Sequence, residues 1–433
     1  MGRRLKVKIV SLTSRRICET ANSVRRKSTL DPRIKGTAER IVLDVRRHGD
    51  SALRRWSRLL DGACPPHFLA TRREINLASA EVPQEEIEAM RFIARRLRSY
   101  ALQELQLQKP PTYPGNGVRI RRLLLPLESV GCYVPGGSVT YPSSLLMSAL
   151  PAKVAGVDRI VVCSPPLPDG NVSPLVAAAS EVCKVDEVYK IGGAQAVAAM
   201  AYGSESIQRV DKIVGPGGPY VLAAKQVVSE DVAIDLPAGP TELLILAFGK
   251  FDEKFVARDL IAQAEHSPWS VCGVVTDSTS NARSVVSALS KMLDETPRNE
   301  VARKALQRGF FVCIARNLRD ATKFANYFAP EHVQLMGSAK KISRDIKSCG
   351  LVLVGDYSPS AVSDYSAGSN HILPTGGFAR SYSGLSIRDF TRRLEVVSCT
   401  RNGLRSIARP AICLARAEGL NNHALAILER LKN

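Results

Sequence analysis

The sequence is poor in the features that mark several protein classes. Its 433 residues contain no stretch of about 18 consecutive apolar residues, which argues against a membrane-spanning helix. The start, MGRRLKVKIVSLTSRR, lacks the long apolar segment of a secretory signal, so the expected location is the cytosol. Ten cysteines lie far apart without a C-x-x-C pair, which speaks against a cysteine-built zinc site or a small disulfide scaffold. Several sit in apolar runs such as IVVCSPP and FFVCIAR, where a small buried hydrophobe is the simplest reading. Histidine is scarce, at six residues. No G-x-G-x-x-G opens a βαβ unit, so the standard dinucleotide fingerprint is missing, and there is no tandem repeat or low-complexity tract.

What remains, 45% hydrophobic and 23% charged residues, is a globular composition, with chain enough for two to four domains at roughly 100–200 residues each. The net charge is +19, and residues 1–60, with 17 Lys/Arg against 5 Asp/Glu, carry +12 of it. A basic face can attract phosphate polymers, so nucleic-acid binding is a reading from a different class. Yet the stretch has one aromatic residue, Trp56, and no finger or RNP-like pattern, and nucleic acid is not an expected partner. An Arg- and Ser-rich start also resembles an organelle transit peptide. Asp31, Glu39, Asp44 and Asp50 follow inside a helical pattern, however, and a folded N-terminal segment is expected.

Residues 1–110 read as helical, with Ile41, Val42, Val45, Leu53, Trp56, Leu59 and Leu60 recurring at three and four. The cluster QKPPTYPGNG (108–117) breaks the pattern. Beyond it, DRIVVCSPP, EVYKIGG, VDKIVGPGG and TELLILA begin roughly 25–30 residues apart, the spacing of repeated βα units with parallel strands. Ligands in such sheets bind where loops leave the carboxyl ends of strands, and GGAQ and GPGG sit at such ends. A helix over about 252–266, strands at FFVCIAR and GLVLVGD, and a final helical segment over about 410–431 complete the reading.

Four places hold residue types capable of chemistry. Gln263 and His266, three apart before Ser267-Pro268, put an amide and an imidazole on one helix face, half of a metal site or an ordinary helix end. Glu331-His332 leave a turn side by side, suited to acid–base work or merely to a surface turn. The stretch 363–377 concentrates Asp364, Tyr365, Asn370 and His371 among glycines, as site-lining loops do. Glu418 and His423 stand near the C-terminus, where a solvated helix end is the plain alternative.

The order and spacing of these segments resemble histidinol dehydrogenases over nearly the whole chain from about residue 30. The carriers are VGCYVPGGSVTYPSSLLMSALPAKVAGV (130–157), IGGAQAVAAMAYGSES (191–206), VDKIVGPGG (210–218), IDLPAGPTE (234–242), AQAEHSP (262–268), APEH (329–332), DYSAGSNHILPTGGFARSYSGLSIRDF (364–390) and AEGLNNH (417–423). The resemblance implies an α/β fold with two incomplete Rossmann-like, aldehyde-dehydrogenase-like parallel-sheet domains. The expected division is a helical segment at 1–28, a discontinuous main domain at 29–132 and 241–385, an NAD-associated domain at 133–240 and a C-terminal tail at 386–433.

The resemblance also implies roles. Zinc would be held by Gln263, His266, Asp364 and His423, with histidinol completing its shell. Glu331 and His332 fall on the acid–base pair, Tyr133, Gln195 and Gly218 on NAD contacts, and Thr241, His371 and Glu418 on the substrate pocket, together with His332 and the zinc ligands. The family oxidises L-histidinol to L-histidine in two steps with two NAD, through an enzyme-held aldehyde, as a homodimer whose tail reaches the partner subunit. Two positions depart from the family habit: Gly218 stands where Asn is frequent, which leaves only a backbone contact to NAD, and Thr241 stands where Ser is frequent, which keeps the hydroxyl. Alternatives stay open. A relative on the same scaffold could oxidise another small alcohol such as a sulfonated diol, although Glu418 suits a cationic amine. Cys132, beside Tyr133, invites a thiohemiacetal route.

Overall fold

The computed structural model describes residues 7, 9–25, 31–108, 113–115, 117–136, 140–237, 239–295 and 299–432. Part of the expected N-terminal segment and much of the break at 108–117 therefore lie outside the described residues. The first third runs through β1 (Ile9–Leu12), α1 (Ile17–Arg25), α2 (Pro32–Trp56), α3 (Arg72–Ser79) and α4 (Gln84–Leu107). Next come β2 (Tyr113–Gly115), β3 (Val118–Pro126), β4 (Ser129–Tyr133), α5 (Pro142–Ala155), β5 (Arg159–Ser164), α6 (Pro174–Cys183), β6 (Glu187–Lys190), α7 (Gly193–Tyr202), β7 (Lys212–Val214), α8 (Pro219–Val228) and β8 (Ala233–Ile234). Then follow β9 (Glu242–Phe248), α9 (Glu253–Ala264), β10 (Val271–Thr276), α10 (Thr279–Asp294), α11 (Asn299–Gly309), β11 (Phe310–Ala315), α12 (Leu318–Phe328), β12 (His332–Gly337), β13 (Leu351–Val354) and α13 (Ser360–Tyr365). The tail holds β14 (Thr391–Cys399), α14 (Arg401–Ala417) and α15 (Asn421–Glu429).

Two wholly parallel sheets form the body, in the orders β6-β5-β4-β7-β8 and β1-β11-β10-β9-β12-β13. Each is covered on both faces, as β9, buried at every position and apolar from Leu243 to Phe248, requires. Leu244 and Leu246 pack toward α1 and α12, while Leu243, Ile245 and Ala247 pack toward α9, α10 and α11. The five-stranded sheet carries α3 to α6 on one face and α2, α7 and α8 on the other. Strand β4 is paired along its length inside this sheet, so residues 129–132 and the helices before them pack with the 133–240 segment. A third, antiparallel sheet, β14-β3-β2, ties the tail to the body.

Local chemistry fixes the ends of these elements. Asp31 caps α2 by accepting from the Arg33 N–H ahead of Pro32, and Thr71 and Glu74 form a reciprocal capping box on α3. Helix α12 closes with Ala329 at φ 45°, a left-handed turn that aims Pro330-Glu331-His332 back along β9.

The wholly helical reading of residues 1–110 is corrected at Ile9–Leu12. This short edge strand pairs only with β11, and four residues of mixed pattern declare nothing about a partner some 300 positions away. The last helical segment also starts earlier than expected, at Arg401, and is broken between Ala417 and Asn421. No described helix is long and apolar enough to cross a membrane.

Candidate active site

A cavity of about 460 Å³ lies where the two parallel sheets meet. The five-stranded sheet offers it the carboxyl ends of β4 and β7, through Pro135, Gly136 and residues 216–218. The six-stranded sheet offers the opposite ends: Thr241 precedes β9, and Glu331 and His332 open β12. The carboxyl-end expectation thus holds for one sheet only. In the other, α9 runs back along β9 and delivers Gln263 and His266 to the amino end of the strands.

Glu331 and His332 are buried, which rules out the surface-turn reading. Glu331 Oε2 accepts the Thr241 hydroxyl at 2.5 Å and the Glu242 backbone N–H at 2.9 Å, and lies 3.5 Å from His332 Nδ1. Burial alone would raise this carboxyl, but the neighbouring imidazole and these donors hold it below the ordinary glutamate value. Burial would lower His332, yet the Glu331 carboxylate, and then Asp364 with an oxygen 3.9 Å from Nε2, push it up to about 9. Neither ring nitrogen makes a close hydrogen bond; Nδ1 faces the Glu331 carboxylate, and Nε2 is the nitrogen left for a bound molecule.

Gln263 Nε2 donates to the same Thr241 hydroxyl that donates to Glu331. This polarity fixes which way the amide faces and leaves Oε1 buried without a partner, an oxygen donor suited to a cation. His266, exposed at the mouth and stacked near Tyr141 at 6.5 Å, and Asp364 line the same cavity. An amide oxygen, an imidazole and a carboxylate therefore converge within one chain. Among the described residues no three His, Cys, Asp or Glu side chains gather as a metal cluster. Gln263, His266 and Asp364 are the cavity side chains whose donor types could hold a zinc ion.

His371 also lines the cavity; its Nδ1 is 2.8 Å from the Asp364 carbonyl and its Nε2 3.4 Å from Ser144 Oγ, and burial lowers its pKa. Gly218, at the N-cap of α8, faces open space, since a Cβ there would meet nothing within 4 Å. Tyr133 and Gln195 are not on the cavity wall: the Tyr133 hydroxyl accepts the Gly193 N–H at 3.1 Å, and Gln195 donates to Asp61 at 3.1 Å. Glu418 and His423 are exposed on the tail and do not reach this cavity within their own chain. Cys132 is fully buried among core residues and does not line the cavity, and burial drives its thiol far above the ordinary range, so nothing here supports the thiohemiacetal route. Sequence reasoning missed Glu242, whose buried carboxyl stands behind Glu331; its place inside the apolar run ELLILAF was the one available signal.

The family model described as histidinol dehydrogenase matches residues 24–431. The histidinol dehydrogenase of Methanosarcina barkeri is 40% identical over 397 residues, 91% of each chain. That of Methanothermobacter thermautotrophicus is 38% identical over 431 residues, 99% of this chain and all of its own. The crystal structure of histidinol dehydrogenase from Elizabethkingia anophelis superposes with a TM-score of 0.92 at 31% identity, covering 100% of this chain and 99% of the other. With these matches spanning the cavity residues and both sheets, the chain belongs to the histidinol dehydrogenase family.

Proposed function

We propose that this oxidoreductase converts L-histidinol to L-histidine by two successive oxidations, each reducing one NAD, with L-histidinal held between them. It would work in the cytoplasm as a homodimer with shared sites. The observation that carries the reading is the convergence of the Glu331–His332 pair with the unpartnered Gln263 oxygen, His266 and Asp364 on one cavity. Zinc held by Gln263, His266 and Asp364, with the partner subunit's His423, would orient the alcohol and amine, and NAD at the 216–218 wall would accept hydride.

His332 takes the alcohol proton in the first oxidation. The Glu331 and Asp364 carboxylates both raise this imidazole, and a zinc ion held by Asp364 would draw one of those charges away and favour the neutral ring. Glu331, kept ionised by its donors, takes a proton from the water that adds to the aldehyde, and the resulting hydrate is oxidised in its turn. His371 shapes the polar wall, and the partner's Glu418 would meet the substrate's ammonium. Gly218 has no side chain to offer NAD, so it would contribute its backbone N–H at the start of α8.

The test is stoichiometry. Two NADH formed per L-histidinol consumed supports the reading, and one NADH with accumulated aldehyde overturns it.

A further inference from the structure

Lys225, in α8, and Asp235, just after β8, form an ion pair whose side chains are 1% and 0% exposed. The ammonium also donates to the carbonyls of Gly215 at 2.9 Å and Leu236 at 3.5 Å. Asp235 accepts the N–H groups of the same two residues, at 2.8 Å from Gly215 and 2.6 Å from Leu236. The three ammonium protons and both carboxylate oxygens are therefore spent, and every backbone partner belongs to one of two loops. The loop after β7 supplies Gly217 and Gly218 to the cavity; the loop before β9 supplies Gly239 and Pro240 and leads into Thr241.

A buried ion pair is weak evidence for stability, because the cost of desolvating two charges offsets most of their attraction. Apolar side chains of similar volume would spare the two charges but strand the Gly215 and Leu236 backbone groups, so the hydrogen bonds to two loops point to a positional role. The surroundings make that role exacting. Gly215 sits at φ 114°, and a Cβ there would fall 2.3 Å from the Tyr133 carbonyl oxygen, so its loop has no room to settle toward β4. On the other loop, the Gly239 N–H donates to Thr375 Oγ1 at 2.7 Å.

We infer that Lys225 and Asp235 are positioning residues: they clasp the loop at 215–218 to the chain at Leu236, ahead of Thr241, and so set the distance between the dinucleotide wall and Thr241, which holds Glu331. The inference rests on the proposed NAD wall at 216–218. Loss of the clasp lets that wall shift while the acid–base pair and the Gln263 amide stay tied to Thr241, so the nucleotide is affected and histidinol is not.

The experiment compares wild type with the double variant Lys225→Met/Asp235→Leu, which removes both charges together and leaves neither unpaired. The clasp predicts a lowered melting temperature, because the Gly215 and Leu236 backbone groups lose their partners; in the protein that stays folded it predicts a kcat/KM for NAD lower by about 10- to 100-fold with a raised KM for NAD, and an unchanged KM for L-histidinol. A merely structural role would lower the active fraction, and thus kcat, without moving KM for NAD; that result overturns the inference. A second measurement needs no variant. Hydrogen exchange of wild-type peptides spanning 213–218 and 233–237, without NAD, should be slow, and exchange as fast as an open loop overturns the inference whether or not the double variant folds. Gly218→Glu separates this failure from that of the underlying reading, because it puts a carboxylate at the mouth of the wall without touching the pair. If Gly218→Glu leaves KM for NAD unchanged, the NAD wall is wrong; if it raises KM and the folded double variant does not, only the clasp is wrong.

Discussion

Thr241 donates its hydroxyl proton to Glu331 at 2.5 Å and receives the Gln263 amide hydrogen on the same oxygen. One hydroxyl thereby orients the carboxylate proposed to activate water and the amide proposed to hold zinc. Thr241→Ser keeps both bonds and is expected to act like wild type. Thr241→Val strands the Gln263 amide and removes a donor from Glu331, a loss of about 1–3 kcal/mol, so kcat/KM for histidinol should fall about 10- to 100-fold. Steady-state NADH kinetics on the two variants check this, and equal activity of the serine and valine enzymes would sink it.

Glu331→Gln should damage aldehyde oxidation more than alcohol oxidation, because only the second step consumes water. His332→Asn should harm alcohol oxidation at least as much. Single-turnover traces begun from histidinol and from histidinal separate the two steps. Equal losses in both for Glu331→Gln contradict the division of labour.

Glu242 supplies a pH test. Burial, then the neighbouring Glu331 charge, pushes its carboxyl up to about 8, against the opposing pull of the Gly376 N–H and Arg25. The folded protein therefore holds a proton that the unfolded chain releases near the ordinary value of about 4.3. Stability from this group is fully present below that lower value and lost as pH rises toward 8. Glu242→Gln stays neutral throughout, so the melting temperature of wild type minus that of the variant should fall between about pH 5 and pH 8 and then level off. A difference that is constant with pH would show that the carboxyl is not protonated in the fold.

The βα alternation was legible in the sequence because β5, β6, β7 and β9 are short β-branched or leucine-rich runs closed by turn residues, and their order suffices to imply parallel pairing. Strand β1 was not, since its identity comes entirely from lying beside β11. Glu331-His332 read from the residues alone was a turn or a pair; only the left-handed Ala329 and the pairing of His332 with Leu243 bury it. The Thr241–Gln263 bond was invisible for another reason. It joins the loop before a strand to the end of the following helix, 22 positions apart, and nothing local marks the meeting.

Zinc should be bound through nitrogen and oxygen only, since among the described residues no cysteine lines the cavity. X-ray absorption of the zinc-loaded protein should show no Zn–S scattering. Chelation should abolish turnover while the far-ultraviolet circular dichroism stays intact, because the ligands line the cavity and the two sheets are packed without them. A Zn–S signal, or global unfolding on chelation, would overturn the ligand set.

The final prediction concerns the tail. Strand β14 pairs with β3, while α14 and α15 pack mainly on one another and leave Ile407, Leu414, Leu420 and Leu425 exposed. A unit of this size does not bury a core alone. Glu418 and His423 stand exposed on it, away from the cavity of their own chain, and that cavity has three donors with His266 open at its mouth. Both deficits are met if the tail lies across a two-fold axis and inserts Glu418 and His423 into the partner's cavity. The arrangement is testable by mixing His423→Ala and His266→Ala proteins, each expected to be inactive, under conditions that exchange subunits. A mixed dimer then holds one site with both defects and one intact site, built from the body of the His423→Ala chain and the tail of the His266→Ala chain. With random exchange half of the dimers are mixed and each has one good site of two, so activity should return to about a quarter of wild type. If mass spectrometry shows that mixed dimers form and activity stays at zero, the tail serves its own chain and the shared site is wrong.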